Sequence, residues 1–210
     1  MVRKTMILSF ILLLPISLSA IGMSFGMGLS SGFLVPSYCE THGIGPRLNY
    51  KIEFTPVVGL DLDFYAAFGN SKQTDDETGF YHKFSGKEFG FSATVDFQHA
   101  FKPAIVYTGF GLAFSHASGT ESTGGGGTPT TTADMPGVNY FGFKVKVGME
   151  TKLNKHVGLY GEMANIFGFG SGSGSVLGQD QWGNITPVKI KVSTFGSSGP
   201  FYNFGVKFHF

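Results

Sequence analysis

The sequence predicts an all-β fold, an eight-stranded antiparallel up-and-down transmembrane β-barrel with short turns at one end and long loops at the other. Three observations predict it. Apolar and polar residues alternate in eight successive segments, the apolar face of every segment lacks charge, and short connections alternate with long ones. Strands with one charge-free apolar face and one polar face are typical of a barrel that closes within lipid.

The composition excludes several other classes of protein. Charged residues make up 14% of the 210 residues, well below the roughly 25% usual in soluble domains. A hydrophobic content of 42% argues against intrinsic disorder, and a single cysteine argues against a disulfide scaffold. The chain has two arginines and no basic cluster, so we expect no nucleic-acid partner.

The N-terminus has the three-part pattern of a secretory signal peptide. A short basic region precedes an apolar run, and a stretch of small residues predicts cleavage after Ala20. A membrane-anchoring helix is disfavoured because it needs roughly 20 apolar residues and Pro15 interrupts this run. We therefore expect a signal peptide over residues 1–20 and a barrel over residues 21–210.

The first four predicted strands follow this signal. In the first, the polar positions are glycine or serine, whereas the next three strands carry charges there. The apolar residues are, strand by strand, Met23, Phe25, Met27, Leu29, Phe33 and Val35; Ile44, Leu48, Tyr50, Ile52 and Phe54; Val58, Leu60, Leu62, Phe64, Ala66 and Phe68; and Phe89, Phe91, Ala93, Val95 and Phe97.

The last four predicted strands repeat the pattern, the fifth less regularly than the others. Seventeen of the 23 phenylalanines of the chain fall on the apolar faces, counting Phe169, which continues the alternation two positions after Phe167. In these four strands the alternating residues are Val106, Thr108, Phe110, Leu112 and Phe114; Phe141, Phe143, Val145, Val147 and Met149; Val157, Leu159, Met163 and Phe167; and Tyr202, Phe204, Val206, Phe208 and Phe210.

The opposite faces carry twelve charged residues, which we expect to line the barrel lumen as one polar network. Five are basic and seven acidic, and this near balance predicts salt bridges and a plugged lumen rather than an open pore. Asp61 and Asp63 alone would also suit an acid pair or a metal site. The twelve are Arg47, Lys51, Glu53, Asp61, Asp63, Glu88, Asp96, Lys144, Lys146, Glu150, Glu162 and Lys207.

The volume of a small barrel decides which face points inward. A soluble ligand-binding barrel would turn its phenylalanines inward and its charges to water. The interior of an eight-stranded barrel holds little more than its own side chains, so this many inward rings would overfill it. We therefore favour the membrane barrel and keep the soluble barrel as the alternative.

The connections between strands alternate in length, as in bacterial outer-membrane barrels with short periplasmic turns and long outer loops. The alternation of Val188, Ile190 and Val192 inside the last connection predicts a continuation of the last strand or a hairpin within the loop. Glycine runs at 124–127 and 168–174 predict flexible loops. The short connections are 55–56, 98–103 and 154–156, and the long ones are 36–43, 69–79, 115–139 and 170–199.

The chain ends in FYNFGVKFHF, at residues 201–210, with an aromatic residue in the last position. This run resembles the C-terminal signature of the small outer-membrane β-barrel superfamily, which includes OmpA/OmpX-like, opacity-like and OmpW-like proteins. The resemblance implies a bacterial outer-membrane location, contact with outer-membrane lipid, and recognition by the barrel-assembly machinery. The residues of the implied assembly signal are Tyr202, Phe204, Val206, Phe208 and Phe210.

The superfamily includes adhesins, conduits, structural barrels and lipid-modifying enzymes, so the resemblance leaves the function open. We expect a non-enzymatic surface barrel with a structural role, whose loops 115–139 and 170–199 offer sites for adhesion or for an extracellular ligand. The alternative is a narrow porin-like conduit for small or hydrophobic solutes. Tyr65, Tyr107 and Tyr160 would then line its path.

One grouping offers a third hypothesis, a lipid A-modifying enzyme. His116 and Ser118 resemble the motif of outer-membrane lipid A deacylases, and Glu121 is the nearby carboxylate that would orient the histidine. Polar residues at the point where a strand leaves the membrane explain the grouping more simply. We therefore expect no catalytic residues.

We expect neither a cofactor nor a metal site. Cys39, His42, His82 and His99 are scattered without metal-ligand spacing. The acidic run 75–77 would suit weak Ca²⁺ binding, but a solvated loop tip is the commoner case.

Overall fold

The computed structural model describes residues 22–33, 42–179 and 183–210, most of them in β-strands. The predicted signal peptide and Cys39 lie outside the described residues. Numbered in chain order, the strands are β1 Gly22–Phe33, β2 His42–Glu53, β3 Val58–Thr74, β4 Tyr81–Phe101, β5 Ala104–Gly125, β6 Thr128–Asp134, β7 Gly137–Lys152, β8 Val157–Gln179 and β9 Ile185–His209.

Eight of the nine described strands form a closed antiparallel ring. The ring runs β1, β2, β3, β4, β5, β7, β8 and β9, and β9 pairs with β1 to close it. At this seam Phe25 lies opposite Phe208, and Leu29 lies opposite Phe204. The short strand β6 pairs with the far end of β5. The prediction of an all-β, eight-stranded up-and-down barrel is confirmed.

Aromatic side chains face outward and charged side chains face inward. On β7, Phe141 and Phe143 are 55% and 44% exposed, whereas Lys144 and Lys146 are 5% and 3% exposed. In water this arrangement would expose a continuous apolar band and bury charge, both of which are unfavourable. The orientation is the reverse of the soluble barrel considered above, and it suits an apolar surrounding.

The strands are longer than the sequence pattern predicts, so most of the expected long loops are β-hairpins. β3 and β4 pair as far as Thr74 and Tyr81, and β8 and β9 pair as far as Gln179 and Ile185. The alternation at residues 188–192 is therefore a continuation of the last strand. We call this end of the barrel the hairpin end and the opposite end, with the short connections, the turn end.

The two glycine runs are not flexible loops, which corrects the prediction. Gly125, Gly126 and Gly127 have positive φ angles and form the tight turn between β5 and β6. Gly168 and Gly172 lie within β8, where an added Cβ would come within 2.1 Å of a β7 carbonyl oxygen. Glycine is needed at these strand positions because the neighbouring backbone lies so close.

No helix among the described residues is long and apolar enough to cross a membrane.

Candidate functional site

The barrel interior contains a network of ion pairs centred on Asp63. Its carboxylate accepts hydrogen bonds from the Arg47 guanidinium and, at 2.8 Å, from Lys144 Nζ. Arg47 also donates to Glu162 Oε1 at 3.0 Å, and Asn203 donates to the same oxygen at 3.0 Å. All five side chains are buried. Each charge therefore has an opposite charge beside it, which buried ions require.

A second set of contacts joins Lys146 to the acids of β3 and β4. Its ammonium group pairs with Asp61 and lies 3.0 Å from Asp96 Oδ1 and 3.6 Å from Glu162 Oε2. Asn49 donates a further hydrogen bond to Asp61. Asp61 and Asp63 therefore take part in a salt-bridge network with cations from other strands. Each of the two carboxylates has a cation beside it, Lys144 for Asp63 and Lys146 for Asp61.

The network continues to the turn end of the barrel. Lys51 donates to Gln98 Oε1 at 2.7 Å, and Lys207 lies 3.1 Å from Glu150 Oε2. Eleven of the twelve charged residues assigned to the polar face are buried in the interior, and Glu53 is half-buried. The structure thus brings together charged side chains from six of the eight ring strands. Those eleven are Arg47, Lys51, Asp61, Asp63, Glu88, Asp96, Lys144, Lys146, Glu150, Glu162 and Lys207.

Tyrosine side chains fill the space between these charges. Tyr107 and Tyr160 are 3% and 4% exposed. Lys207 Nζ lies 5.4 Å from the centre of the Tyr107 ring and 5.3 Å from that of Tyr160, within cation–π range. Tyr65 donates a hydrogen bond to Glu88 Oε1 at 2.8 Å. The three tyrosines that a conduit would place along its path are packed among charged side chains.

Two of these tyrosines cover a glycine directly opposite them on the next strand. Tyr65 pairs with Gly90, and Tyr107 pairs with Gly148. A Cβ added at Gly90 would lie 2.1 Å from the Tyr65 ring, and one at Gly148 would lie 2.4 Å from the Tyr107 ring. The glycines leave room for each ring to lie flat on the neighbouring backbone, an arrangement that stabilises glycine-containing strands.

Replacing Gly148 by valine is expected to lower the free energy of unfolding by about 1–3 kcal/mol, the usual cost of overpacking. The new side chain would occupy the position of the Tyr107 ring, which is buried and lies against Lys207. Urea unfolding of the refolded protein in lipid vesicles measures the change. Gly161→Val is the matched control, because nothing lies within 4 Å of an added Cβ there. Equal losses for the two variants would contradict the tyrosine–glycine packing.

An apolar plug lies above the charged network, towards the hairpin end. Phe201 and Tyr140 pack with the small and aliphatic side chains of β5 and β8, and the rings of Tyr65 and Phe201 are 5.6 Å apart. Nearer the hairpin end, Phe84 and Met135 pack with Ala67. The sequence reasoning missed this plug. The signal was present in the alternation. Phe84 lies four residues before Glu88 and Phe201 lies two residues before Asn203, so each shares a strand face with a residue that points inward.

Above the plug, the hairpins enclose a cavity of about 760 Å³ that is open to the outside. Glu121 joins its walls: Oε1 hydrogen-bonds His82 Nε2 at 2.6 Å, and Oε2 accepts the backbone N–H of Leu177 at 3.0 Å. These two bonds tie β4 and β5 to β8. The lining residues are Phe80, His82, Glu121, Thr123, Pro129, Thr131, Leu177, Gly178, Gln179, Gly183, Asn184 and Ile185.

The structure does not assemble His116, Ser118 and Glu121 into a catalytic group. His116 and Ser118 lie on the outer face of β5, whereas Glu121 has the parity of the inward residues. The imidazole Nδ1 of His116 hydrogen-bonds Asn139 at 2.9 Å, and Glu121 is held by His82 instead. A serine nucleophile needs its base and the orienting acid in one chain of contacts, and the opposite faces of a strand separate them.

The acidic run 75–77 closes the turn between β3 and β4. Asp75 Oδ1 accepts the backbone N–H groups of Glu77 at 2.9 Å and Thr78 at 3.4 Å. These hydrogen bonds, led by that from Glu77, lower the pKa of Asp75 below its ordinary value. Within residues 22–33, 42–179 and 183–210, no group of three or more His, Cys, Asp or Glu side chains is arranged to hold a metal ion.

The residues of the implied assembly signal lie at the end of β9. Tyr202 and Phe204 are about half exposed on the outer face, and Phe210 is 81% exposed at the chain end. Their role in assembly stays a prediction.

No protein-family model matches the chain, and no curated protein matches it either. Solved structures match it by fold. The outer membrane protein OprG from Pseudomonas aeruginosa is 10% identical with a TM-score of 0.61, and the match covers 90% of this chain and 95% of OprG. Neisserial surface protein A is 12% identical with a TM-score of 0.54, covering 90% and 97% of the two chains. A major outer membrane protein from Thermus thermophilus is 15% identical with a TM-score of 0.51, covering 90% and 99%.

Proposed function

We propose that this chain, whose fold is that of the small outer-membrane β-barrels, is an integral protein of the bacterial outer membrane with a closed lumen. It is non-enzymatic, it stiffens the membrane, and it presents its hairpin end to an extracellular ligand or partner. Export through a signal peptide at residues 1–20 and recognition of the C-terminal aromatic residues by the assembly machinery are parts of the same proposal.

The outward band of apolar side chains supports a membrane location. Phenylalanines on neighbouring strands contact one another around the outside, for example Phe110 with Phe97 at 5.8 Å and with Phe143 at 6.0 Å between ring centres. Contact between such an apolar band and hydrocarbon has no unfavourable free energy, whereas exposure of the band to water would favour aggregation. The inward charges find their partners across the lumen.

The filled interior favours a surface barrel over a conduit. A conducting barrel needs a continuous path lined by polar groups and water. Here the charged network and its tyrosines fill one layer of the lumen, and the apolar plug built around Phe201 and Phe84 fills the next. A solute would have to displace both layers to cross. The hairpin end is then the part of the molecule that is free to bind.

Planar-bilayer recording tests the closed lumen. Refolded protein is expected to insert and to show no resolvable single-channel steps, because ions have no aqueous path past the paired charges and the plug. Insertion is checked separately by the faster gel migration of the unheated, folded protein. Steady single-channel steps from inserted protein would support the porin-like conduit and contradict the proposal.

A further inference from the structure

The cavity at the hairpin end is a pocket and not the entrance of a channel. Its walls come from the β3–β4, β5–β6 and β8–β9 hairpins, and Phe84 and Met135 lie on the lumen side of it. Met135 is held in place by its backbone N–H, which donates to Gly119 O at 2.9 Å. A molecule entering from outside would therefore meet a closed floor. Its volume of about 760 Å³ lies in the range of roughly 300–1,000 Å³ typical of ligand sites.

The charge of the wall restricts the ligand. Among the described residues that line the cavity, the titratable side chains are His82 and Glu121, which are bonded to each other at 2.6 Å. The second oxygen of Glu121 already accepts the N–H of Leu177. No lysine or arginine is among these lining residues. A strongly charged ligand would find no free counter-charge among these described lining residues, and burying an unpaired charge is costly.

The remaining groups suit a ligand with many hydroxyl groups and an apolar side. Thr123 and Thr131 bring hydroxyls, and Gln179 and Asn184 bring amides, so the wall contains both donors and acceptors. Phe80 adds an aromatic ring on which the C–H face of a sugar ring can pack. Leucine and isoleucine side chains complete the apolar part of the wall.

We propose that this cavity binds a neutral oligosaccharide, held by the threonine hydroxyls and side-chain amides and packed against Phe80. The inference rests on the proposed function, since it names the class of ligand that the hairpin end would recognise. Glu121 and His82 have a positioning role in it: their hydrogen bond and that of Leu177 hold the three hairpins at the spacing that forms the walls.

Binding is tested with the full refolded chain in lipid nanodiscs on a glycan array, followed by calorimetry with the neutral glycans that bind. At least one neutral oligosaccharide is expected to bind, and its sialylated counterpart is expected to bind more weakly. Phe80→Ala and Thr131→Val are each expected to raise the dissociation constant by about tenfold, the effect of losing one central contact. Phe195→Ala, at an exposed aromatic residue outside the lining, is the control and is expected to change nothing.

Three results would overturn the inference: no neutral glycan binds, Phe80→Ala leaves the affinity unchanged, or trilysine binds and loses its binding in Glu121→Gln. The last result would make the cavity a cation site. None of these results tests the closed lumen, because the absence of single-channel steps is recorded in planar bilayers without any glycan. If the barrel shows no channel steps and binds no neutral glycan, the proposed function therefore stands and only the proposal of this ligand is wrong.

Discussion

Replacing Asp63 by alanine is expected to lower the free energy of unfolding by about 3–5 kcal/mol, the usual cost of removing one partner from a buried ion pair. The substitution leaves two cations inside the barrel without their main partner. Arg47 keeps one contact with Glu162 at 3.0 Å, but Lys144 is left 3.9 Å from the same carboxylate. Urea unfolding in lipid vesicles, followed by far-UV circular dichroism, measures the loss.

Two companion variants separate the loss of charge from the loss of packing. Asp76→Ala removes an exposed acid in the β3–β4 turn and is expected to leave stability nearly unchanged. The double variant Arg47→Met with Asp63→Leu removes a charge of each sign, so it is expected to lose less stability than Asp63→Ala alone. If Asp63→Ala costs no more than Asp76→Ala, the interior is wet and open, and the closed-lumen proposal is wrong.

Replacing Phe110 by arginine is expected to lower the free energy of unfolding by about 2–4 kcal/mol, the value for a cation on the lipid face near the bilayer midplane. Phe110 is 46% exposed and lies on the outer face of β5, between the rings of Phe97 and Phe143. The arginine would face hydrocarbon without a partner and would remove both ring contacts. The unfolding free energy in vesicles is again the measurement.

Thr120→Arg is the matched control for this prediction. Thr120 lies on the same strand and the same outer face as Phe110, ten residues nearer the hairpin end and exposed. It lies beyond the apolar band, where an arginine meets headgroups or water, so its cost is expected to be small. If the two substitutions cost the same, the phenylalanine band does not face lipid and the membrane location is contradicted.

The hairpin end shows where local patterns mislead. Residues 168–174 alternate glycine with serine or phenylalanine, and 115–139 is rich in threonine and glycine, so neither stretch has the hydrophobic period of a strand. Both are largely strands in the structure because the ladder hydrogen bonds are made by the backbone. Side-chain periodicity depends on a difference in surroundings between the two faces of a strand, whereas backbone pairing does not. The hypothesis of a catalytic group at His116 overlooked the same continuation of β5, which fixes Glu121 on the opposite face.

The charged network shows a second limit. Alternation along each strand assigns a residue to a face, and eleven of the twelve predicted residues are buried inside. It says nothing of partners, which come from far along the chain: Arg47 meets Glu162, 115 residues away, and Lys144 meets Asp63, 81 residues away. Those meetings depend on how far each strand is shifted against the next, and no single strand contains that information.

The sequence by itself determined the class of fold, the number of strands in the ring and the inward face of the charged residues in the alternating segments, because a period of two is a property of every strand taken alone. Only the tertiary structure decided that Phe84 and Phe201 form an apolar plug beside the charged network, and that three hairpins enclose a cavity around the Glu121–His82 bond. These features arise from contacts across the barrel, which exist only once the ring has closed and the stagger between strands is set.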